Sequence, residues 1–492
     1  MDRYVFNHFY TLRHDKCRTI MFSPSHVSHD RQDESIDWVS YIHPVYAMLF
    51  SFFSTPVVLD EGINRISFFL DISKEQSKEI ISVFIENKEE FHTIYSGHEN
   101  NFPKNVIIPE SKLKESMSIY KPEMFVYEKI DLKSVRLYTA PLHMTFMVNN
   151  KCLTNCIYCY ADRKTRNSML EFDCVERIIR DASKEKIRMF NVDGGEFFLY
   201  PYWKKLLETL EAYDYSPELL STKYPLNRDA IQYLSRRNMP LQISFDSLVQ
   251  GSLIKMVGDI PNYLERMKKS IYEINNNLPF QVATILTVYN GNVEGLNSLF
   301  DFLRQFDNLK RWELRVAFKS LYSPHDFEKI QISQSSICKI ANWIDTIKEK
   351  SPFPIVWSPG NQNSFFSSKN GSADFPGSRC SANSTHMFVL PDGKVTICEQ
   401  LYWNQNFLIG DLKYQTISEV WNSEKALYLA DLPQDSFSKE SFCHECKIFG
   451  KCQSFMNRCY ANIMKAYGIE HWDYPDPRCV HAPNTISSNL YV

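Results

Sequence analysis

The chain has no excess of charge of either sign: 55 Lys plus Arg stand against 58 Asp plus Glu, a formal net charge of -3. Without a global basic field to draw in polyanions, no nucleic-acid partner is expected. A long apolar run is also missing. The most apolar stretch, Tyr46 to Leu59, is interrupted by Ser51, Ser54, Thr55 and Pro56, and it falls short of the roughly 20 residues that a membrane-spanning helix requires. The opening Met1-Asp2-Arg3-Tyr4 lacks the layout of a secretory signal. The expectation is therefore a cytoplasmic protein with no membrane partner. Internal repeats and low-complexity tracts are absent too, and a hydrophobic content of 44% with 23% charged residues is ordinary for a globular chain. At 492 residues the chain exceeds one ordinary core, which predicts two to four domains.

What is present is an uneven distribution of cysteine. Of 13 cysteines, three fall at Cys152, Cys156 and Cys159, and seven at Cys380, Cys398, Cys443, Cys446, Cys452, Cys459 and Cys479. In a reducing compartment such clustering points to metal more than to disulfides. Cys17, Cys174 and Cys338 stand apart and are expected to be buried structural thiols; Cys174 sits in an apolar helical pattern with Val175 and Ile178.

Residues 1–135 are rich in aromatics and show no catalytic spacing. Ser73 with Gln76 is a capping-box pattern, and Ile80, Ile81, Phe84 and Ile85 follow at helical spacing. A helical or winged-helix module is expected there. From Leu142, short apolar runs alternate with helical stretches, the pattern of βα units around a parallel sheet. Six strands are predicted: Leu142 to Val148, Ile187 to Asp193, Glu218 to Thr222, Leu241 to Asp246, Gln281 to Val288 and Trp312 to Phe318. Between them lie Trp203 to Leu210 and Asn227 to Leu234, the latter opened by a cap-type Asn. The fold class is α/β, an incomplete barrel of six βα units or a doubly wound sheet, and ligands would gather beyond the carboxyl ends of its strands. This unit would occupy residues 136–330. Residues 331–378 read as a helix and a linker, because Ser351 to Ser378 is dense in Ser, Pro, Asn and Gly. A cysteine-rich domain follows at 379–492. In it Pro391-Asp392-Gly393 predicts a hairpin, and Thr416 with Glu419 predicts a helix cap.

Cys152, Cys156 and Cys159 put three thiols in eight residues directly after the first predicted strand. Three are one short of the four that saturate a cubane iron–sulfur cluster, so one iron would stay open; a zinc loop completed by a distant fourth ligand fits the same spacing. Gly194-Gly195-Glu196 ends the second strand, where glycines permit close backbone approach and a carboxylate accepts hydrogen bonds from a cationic ligand. Ser244 and Asp246 end the fourth strand, and Ser221, Thr222 and Lys223 end the third, at the same mouth. Glu399 directly follows Cys398 and would remove a proton if it faced a substrate. In the tail, Cys443-x2-Cys446 also suits a zinc ribbon.

The Cys-x3-Cys-x2-Cys spacing, with the aromatic Tyr158 just before the third cysteine, resembles the signature of the radical S-adenosylmethionine (SAM) enzymes. The resemblance implies that Cys152, Cys156 and Cys159 hold a [4Fe–4S] cluster whose open iron chelates SAM, from which a deoxyadenosyl radical is generated. The core would then be a partial (β/α)6 TIM-type barrel. The segment Gly194-Gly195-Glu196 resembles the family's Gly-Gly-Glu motif, with Phe197 where proline often follows, and Ser244 and Asp246 match its ribose- and carboxylate-contacting position. An arginine usual downstream has no counterpart in Gly251 to Asn262. The tail resembles the SPASM extension of peptide- and protein-modifying members. By that pattern Cys443, Cys446, Cys452 and Cys479 ligate an outer auxiliary iron–sulfur cluster, and Cys380, Cys398 and Cys459 an inner one. The gap before Cys459 is six residues rather than three, and no cysteine stands shortly upstream of Cys380, which leaves the inner set open to substrate or to a ligand such as His386 or His444.

The function implied is maturation of a ribosomally made precursor peptide by hydrogen abstraction and an oxidative modification such as a crosslink, with Glu399 as base, the N-terminal module on the leader peptide, and a flavodoxin or ferredoxin as reductant. Two other readings carry the same residues: an anaerobic sulfatase-maturing type of enzyme acting on Cys or Ser of a protein, and a non-enzymatic zinc protein.

Overall fold

The computed structural model describes residues 2–24, 37–163, 168–323, 325–360, 380–454 and 457–484. The chain divides into two compact units, Met1–Leu142 with Lys184–Met189, and His143–Ser183 with Phe190–Val492.

The first unit is mixed rather than all-helical. Its strands are β1 (Arg3–Phe6), β2 (Thr11–His14), β3 (Thr19–Phe22), β4 (Val39–Ile42), β5 (Val57–Val58), β6 (Phe91–Tyr95), β7 (His98–Phe102) and β8 (Ile107–Pro109), forming the sheets β5-β1-β8 and β2-β3-β4 and the hairpin β6-β7. Helices Pro44–Ser51, Leu59–Leu70 and Lys74–Ser82 precede that hairpin. The third has the predicted reciprocal cap: Gln76 N donates to Ser73 Oγ at 3.2 Å and Ser73 N to Gln76 Oε1 at 3.0 Å. The aromatic richness makes the core, where Tyr46, Phe50, Phe84 and Phe102 pack largely edge to face. Cys17 is buried, as expected.

The second unit holds the parallel strands. β9 (His143–Met147) and β10 (Met189–Asp193) are neighbours in one sheet; β11 (Leu220–Thr222), β12 (Leu241–Ser244), β13 (Phe280–Leu286), β14 (Leu309–Val316) and β15 (Ile355–Ser358) form another in that order, all parallel. Each of the six predicted strands is there, within a few residues. β15 corrects the linker reading: Pro352, Pro354 and Pro359 read as loop, yet the four residues between the last two pair in register with Trp312 to Arg315. Residues 361–379, the rest of that stretch, lie outside the described residues.

Helices fill the connections with their apolar stripes inward. Phe172, Val175, Ile178, Ile179 and Ala182 are the buried face of Phe172–Lys184, and Leu206, Leu207 and Leu210 that of Trp203–Ala212. Asn227 caps Arg228–Arg236 through Oδ1, which accepts from Ala230 N at 2.9 Å. Cys174 is partly buried, with its Sγ 3.4 Å from the Arg177 guanidinium, whereas Cys338 is exposed, against expectation.

The cysteine-rich region is woven into this unit. β16 (His386–Val389) pairs parallel with β9, and β17 (Lys394–Thr396) and β18 (Leu408–Asp411) extend the sheet to the order β10-β9-β16-β17-β18. The predicted hairpin joins β16 to β17, turning at Gly393 with φ of 88°. Thr416 caps the short helix Ile417–Trp421 in a full capping box with Glu419.

Candidate active site

The loop after β9 carries the three thiols and is fixed from below by the end of β10. Gly195 N donates to Asn149 O at 2.7 Å and Glu196 N to Lys151 O at 2.6 Å, while Asn149 Nδ2 donates to Glu196 O at 3.0 Å. This is why glycine is needed: a Cβ on Gly195 would stand 2.3 Å from Lys151 O, with no room to shift except by moving the loop. The backbone that approaches closely here is thus the chain's own.

Cys152, Cys156 and Cys159 line a cavity of about 370 Å³ together with Asn150, Thr154 and Arg163. They also line a second cavity of about 430 Å³, whose wall includes Tyr158, Gly195, Glu196, Ser221, Lys223, Ser244, Arg315 and Glu399. The residues predicted from the third and fourth strand ends, from the Gly-Gly-Glu turn and from the tail therefore meet around one space. Asp246 stands behind that wall. Its carboxylate accepts from Tyr158 Oη, from Lys223 Nζ at 2.7 Å and from Ile285 N at 3.0 Å, so it fixes Tyr158 and Lys223.

Glu196 is buried and held by its own strand ends: Thr222 Oγ1 donates to it at 2.8 Å and Lys223 N at 3.1 Å. Burial pushes its carboxyl up to about 7 against the pull of those donors. Burial, with Asp193 adding to it, pushes Glu399 up to about 7 as well, while Lys465 pulls the other way. Burial likewise raises the Cys152 thiol to about 12, opposed by Arg163.

Several residues of this wall carry no spacing signal and escape a reading of the sequence. Arg163 donates to Thr154 O at 2.6 Å and to Asn155 Oδ1 at 2.9 Å. Although burial disfavours its charge, Cys159, Cys152 and Cys156 hold its pKa above the usual arginine value. Arg315, paired with Glu313 at 2.8 Å, brings a second guanidinium to the cavity from β14.

In the tail, Cys443, Cys446, Cys452 and Cys479 line one cavity of about 60 Å³ with Arg458 and Asp476. The four cysteines assigned to the outer set thus share one cavity. Burial sets the Cys398 thiol well above the ordinary value, with Cys459, Glu399 and Cys380 adding to the shift. Each histidine considered for the inner set has one ring nitrogen engaged within the fold. His386 Nε2 is bonded to Thr145 Oγ1 at 2.9 Å, and His444 Nδ1 to Phe437 O at 2.8 Å. Asp476, near both sets, is held by Arg478 at 2.8 Å and by Cys459 N at 2.9 Å.

The donor chemistry fits iron–sulfur groups: thiols in sets of three, four and three, each set with charged or polar neighbours and the first with open space beside it. Among the described residues, no three His, Cys, Asp or Glu side chains converge on a position for a single metal ion.

Comparison with known proteins agrees with this geometry. The SPASM family, an iron–sulfur cluster-binding domain, matches residues 380–447. No curated protein matches the chain. The fold is similar to that of Streptococcus suis SuiB bound to precursor peptide SuiA, with a TM-score of 0.62 and 15% identity, covering 97% of this chain and 99% of that one. SuiB bound to S-adenosylmethionine gives a TM-score of 0.60 at 15% identity, covering 97% and 100%. Native anSMEcpe with bound AdoMet gives 0.46 at 15% identity, covering 64% and 88%. The chain therefore has an α/β fold similar to that of SuiB, with a SPASM iron–sulfur cluster-binding match at residues 380–447.

Proposed function

We propose that this chain is a radical SAM/SPASM enzyme that abstracts hydrogen from a ribosomally made precursor peptide and installs a crosslink or another oxidative modification. The observation that carries this reading is the single cavity of about 430 Å³ walled at once by Cys152, Cys156 and Cys159, by the ends of β10 to β14, and by Glu399. Cys152, Cys156 and Cys159 would hold a [4Fe–4S] cluster, which with SAM bound supplies a deoxyadenosyl radical.

The chain's own residues do the rest. Glu196, with Ser221 and Ser244 beside it, offers acceptors to the ammonium and hydroxyl groups of SAM at the strand ends. Arg163 sets positive charge against the three thiolates and so favours the deprotonated state that metal binding needs. Tyr158, Tyr160 and Phe318 keep water from the reacting carbon. Glu399 reaches the same space from the cysteine-rich region and would take the proton that a substrate radical loses on oxidation. Cys443, Cys446, Cys452 and Cys479 would hold one auxiliary cluster and Cys380, Cys398 and Cys459 another, to receive the electron, with a flavodoxin or ferredoxin as reductant. That SuiB is seen with its precursor peptide supports a peptide substrate here.

Residues 1–135 would hold the leader of that peptide. In support, β4 ends the sheet β2-β3-β4 and lines a groove of about 1020 Å³ with Glu90, Phe91, His98 and Glu99 of the β6-β7 region. An extended peptide pairs readily with such an edge. The remaining domains would be the barrel at 136–330, a helix and connection at 331–378, and the auxiliary-cluster domain at 379–492. A cytoplasmic setting suits oxygen-sensitive clusters, and no helix among the described residues is long and apolar enough to cross a membrane.

The test is deoxyadenosine release from SAM by anaerobically reconstituted, reduced protein, given candidate precursor peptides, with Cys156→Ala as control. Release by the parent and none by the variant is expected. Zinc in place of iron, with no release, would overturn the reading.

A further inference from the structure

Two adjacent asparagines open the cysteine loop, and the fold uses them differently. Asn149 is saturated by its own chain: Oδ1 accepts from Lys151 N at 2.8 Å and Nδ2 donates to Glu196 O at 3.0 Å. Asn150 is 4% exposed, and neither its Nδ2 nor its Oδ1 has a partner among the described residues. Leaving both ends of a buried amide unpaired is costly, and natural structures rarely do so without a ligand or ordered water to complete the pair. Its backbone is packed closely against Gly195, where a Cβ would lie 2.7 Å from the Asn150 carbonyl carbon, so the loop that carries the amide is held in place. Asn150 lines the cavity of about 370 Å³ along with Cys152, Cys156 and Cys159, and no other residue of that lining carries a buried unpartnered side-chain atom among the described residues.

We infer that the Asn150 amide is a positioning group for whatever the three thiols hold: its Nδ2–H donates a hydrogen bond to a sulfur of that group and thereby raises its reduction potential. The inference rests on the reading of Cys152, Cys156 and Cys159 as cluster ligands. Donors aimed at cluster sulfurs stabilise the additional electron of the reduced state, whereas an apolar neighbour leaves reduction harder. Leucine is nearly isosteric with asparagine and lacks the N–H; aspartate keeps the shape, lacks the donor and adds negative charge.

The experiment uses the full chain, loaded anaerobically with iron and sulfide and titrated redox-metrically under EPR. The signal of this site is the one missing from the triple variant Cys152→Ala, Cys156→Ala, Cys159→Ala. In Asn150→Leu the signal should persist with undiminished iron content, at a more negative midpoint potential, and Asn150→Asp should shift at least as far. The melting temperature of the metal-free Asn150→Leu chain should not fall, because the side chain has no protein partner to lose. If Asn150→Leu does not load, Asn150→Ala gives the same comparison. A loaded Leu or Ala variant titrating at the parent potential overturns the inference, even if Asp shifts, since charge alone would then account for the shift. A parent whose EPR signals all survive in the triple variant would overturn the cluster reading itself, a different failure, visible without any Asn150 variant.

Discussion

The two best-defined thiol sets are built to opposite plans. Cys152, Cys156 and Cys159 adjoin cavities of about 370 and 430 Å³, lined with charged and hydrogen-bonding side chains from several strand ends. Cys443, Cys446, Cys452 and Cys479 enclose a space of about 60 Å³ packed by Phe442, Ile448 and Phe449. Three thiols beside a large space with both polar and apolar walls leave room for an exogenous molecule; four around a small space, with Arg458 and Asp476 the charged groups in its lining, leave far less. The first plan suits the reacting site proposed above, the second a relay or a staple.

Substitutions sharpen this contrast. The largest effect is expected for Cys156→Ala, which should reduce deoxyadenosine release to background while the SPASM region keeps its iron; measured release near the parent level would break the contrast. Cys446→Ala should do the reverse, lowering iron content and melting temperature while SAM cleavage survives, as a thermal scan beside a cleavage assay would reveal. Gly195→Ala forces a methyl against Lys151 O; overpacking of this kind costs about 1–3 kcal/mol, visible in denaturant unfolding, and should disturb the first set and not the second. The smallest effect belongs to Arg163→Lys. It exchanges a planar fork for a point charge and gives up a hydrogen bond worth roughly 1 kcal/mol, so iron uptake by the first set should slow while that of the tail does not; equal rates would argue against a role for Arg163 in the site.

Legibility in the sequence followed the range of the interaction concerned. Capping at Ser73, Asn227 and Thr416 and the Pro391-Asp392-Gly393 turn depend on neighbours three or four residues away, and all were readable. The six strands were placed because short apolar runs at strand length recur between helical stretches, in some strands as a near-continuous buried run and in others, such as β10, as alternation of buried and part-buried residues. β15 was hidden because its prolines flank the pairing segment and do not interrupt it, so loop composition concealed a strand whose partner lies some forty residues upstream. The thiols and the Gly-Gly-Glu turn are dense local motifs, whereas Arg163, Arg315 and Asn150 are single residues whose meaning comes only from what surrounds them. His386 read as a candidate ligand because a histidine beside cysteines suggests metal; the fold adds what spacing could not, a bond from its Nε2 to Thr145 in the neighbouring strand.

The pairing of β16 with β9 bears on how the chain is made. Thr145 and His386 meet across 241 residues of sequence, so during synthesis β9 emerges with its future neighbour far from translated. Until that neighbour arrives, β9 keeps an unpaired edge, the kind of surface that recruits foreign strands. A ribosome stalled or a chain cut before residue 386 would release a protein with the cysteine loop in place and its sheet unfinished, and such products should accumulate as aggregates rather than as a smaller working core.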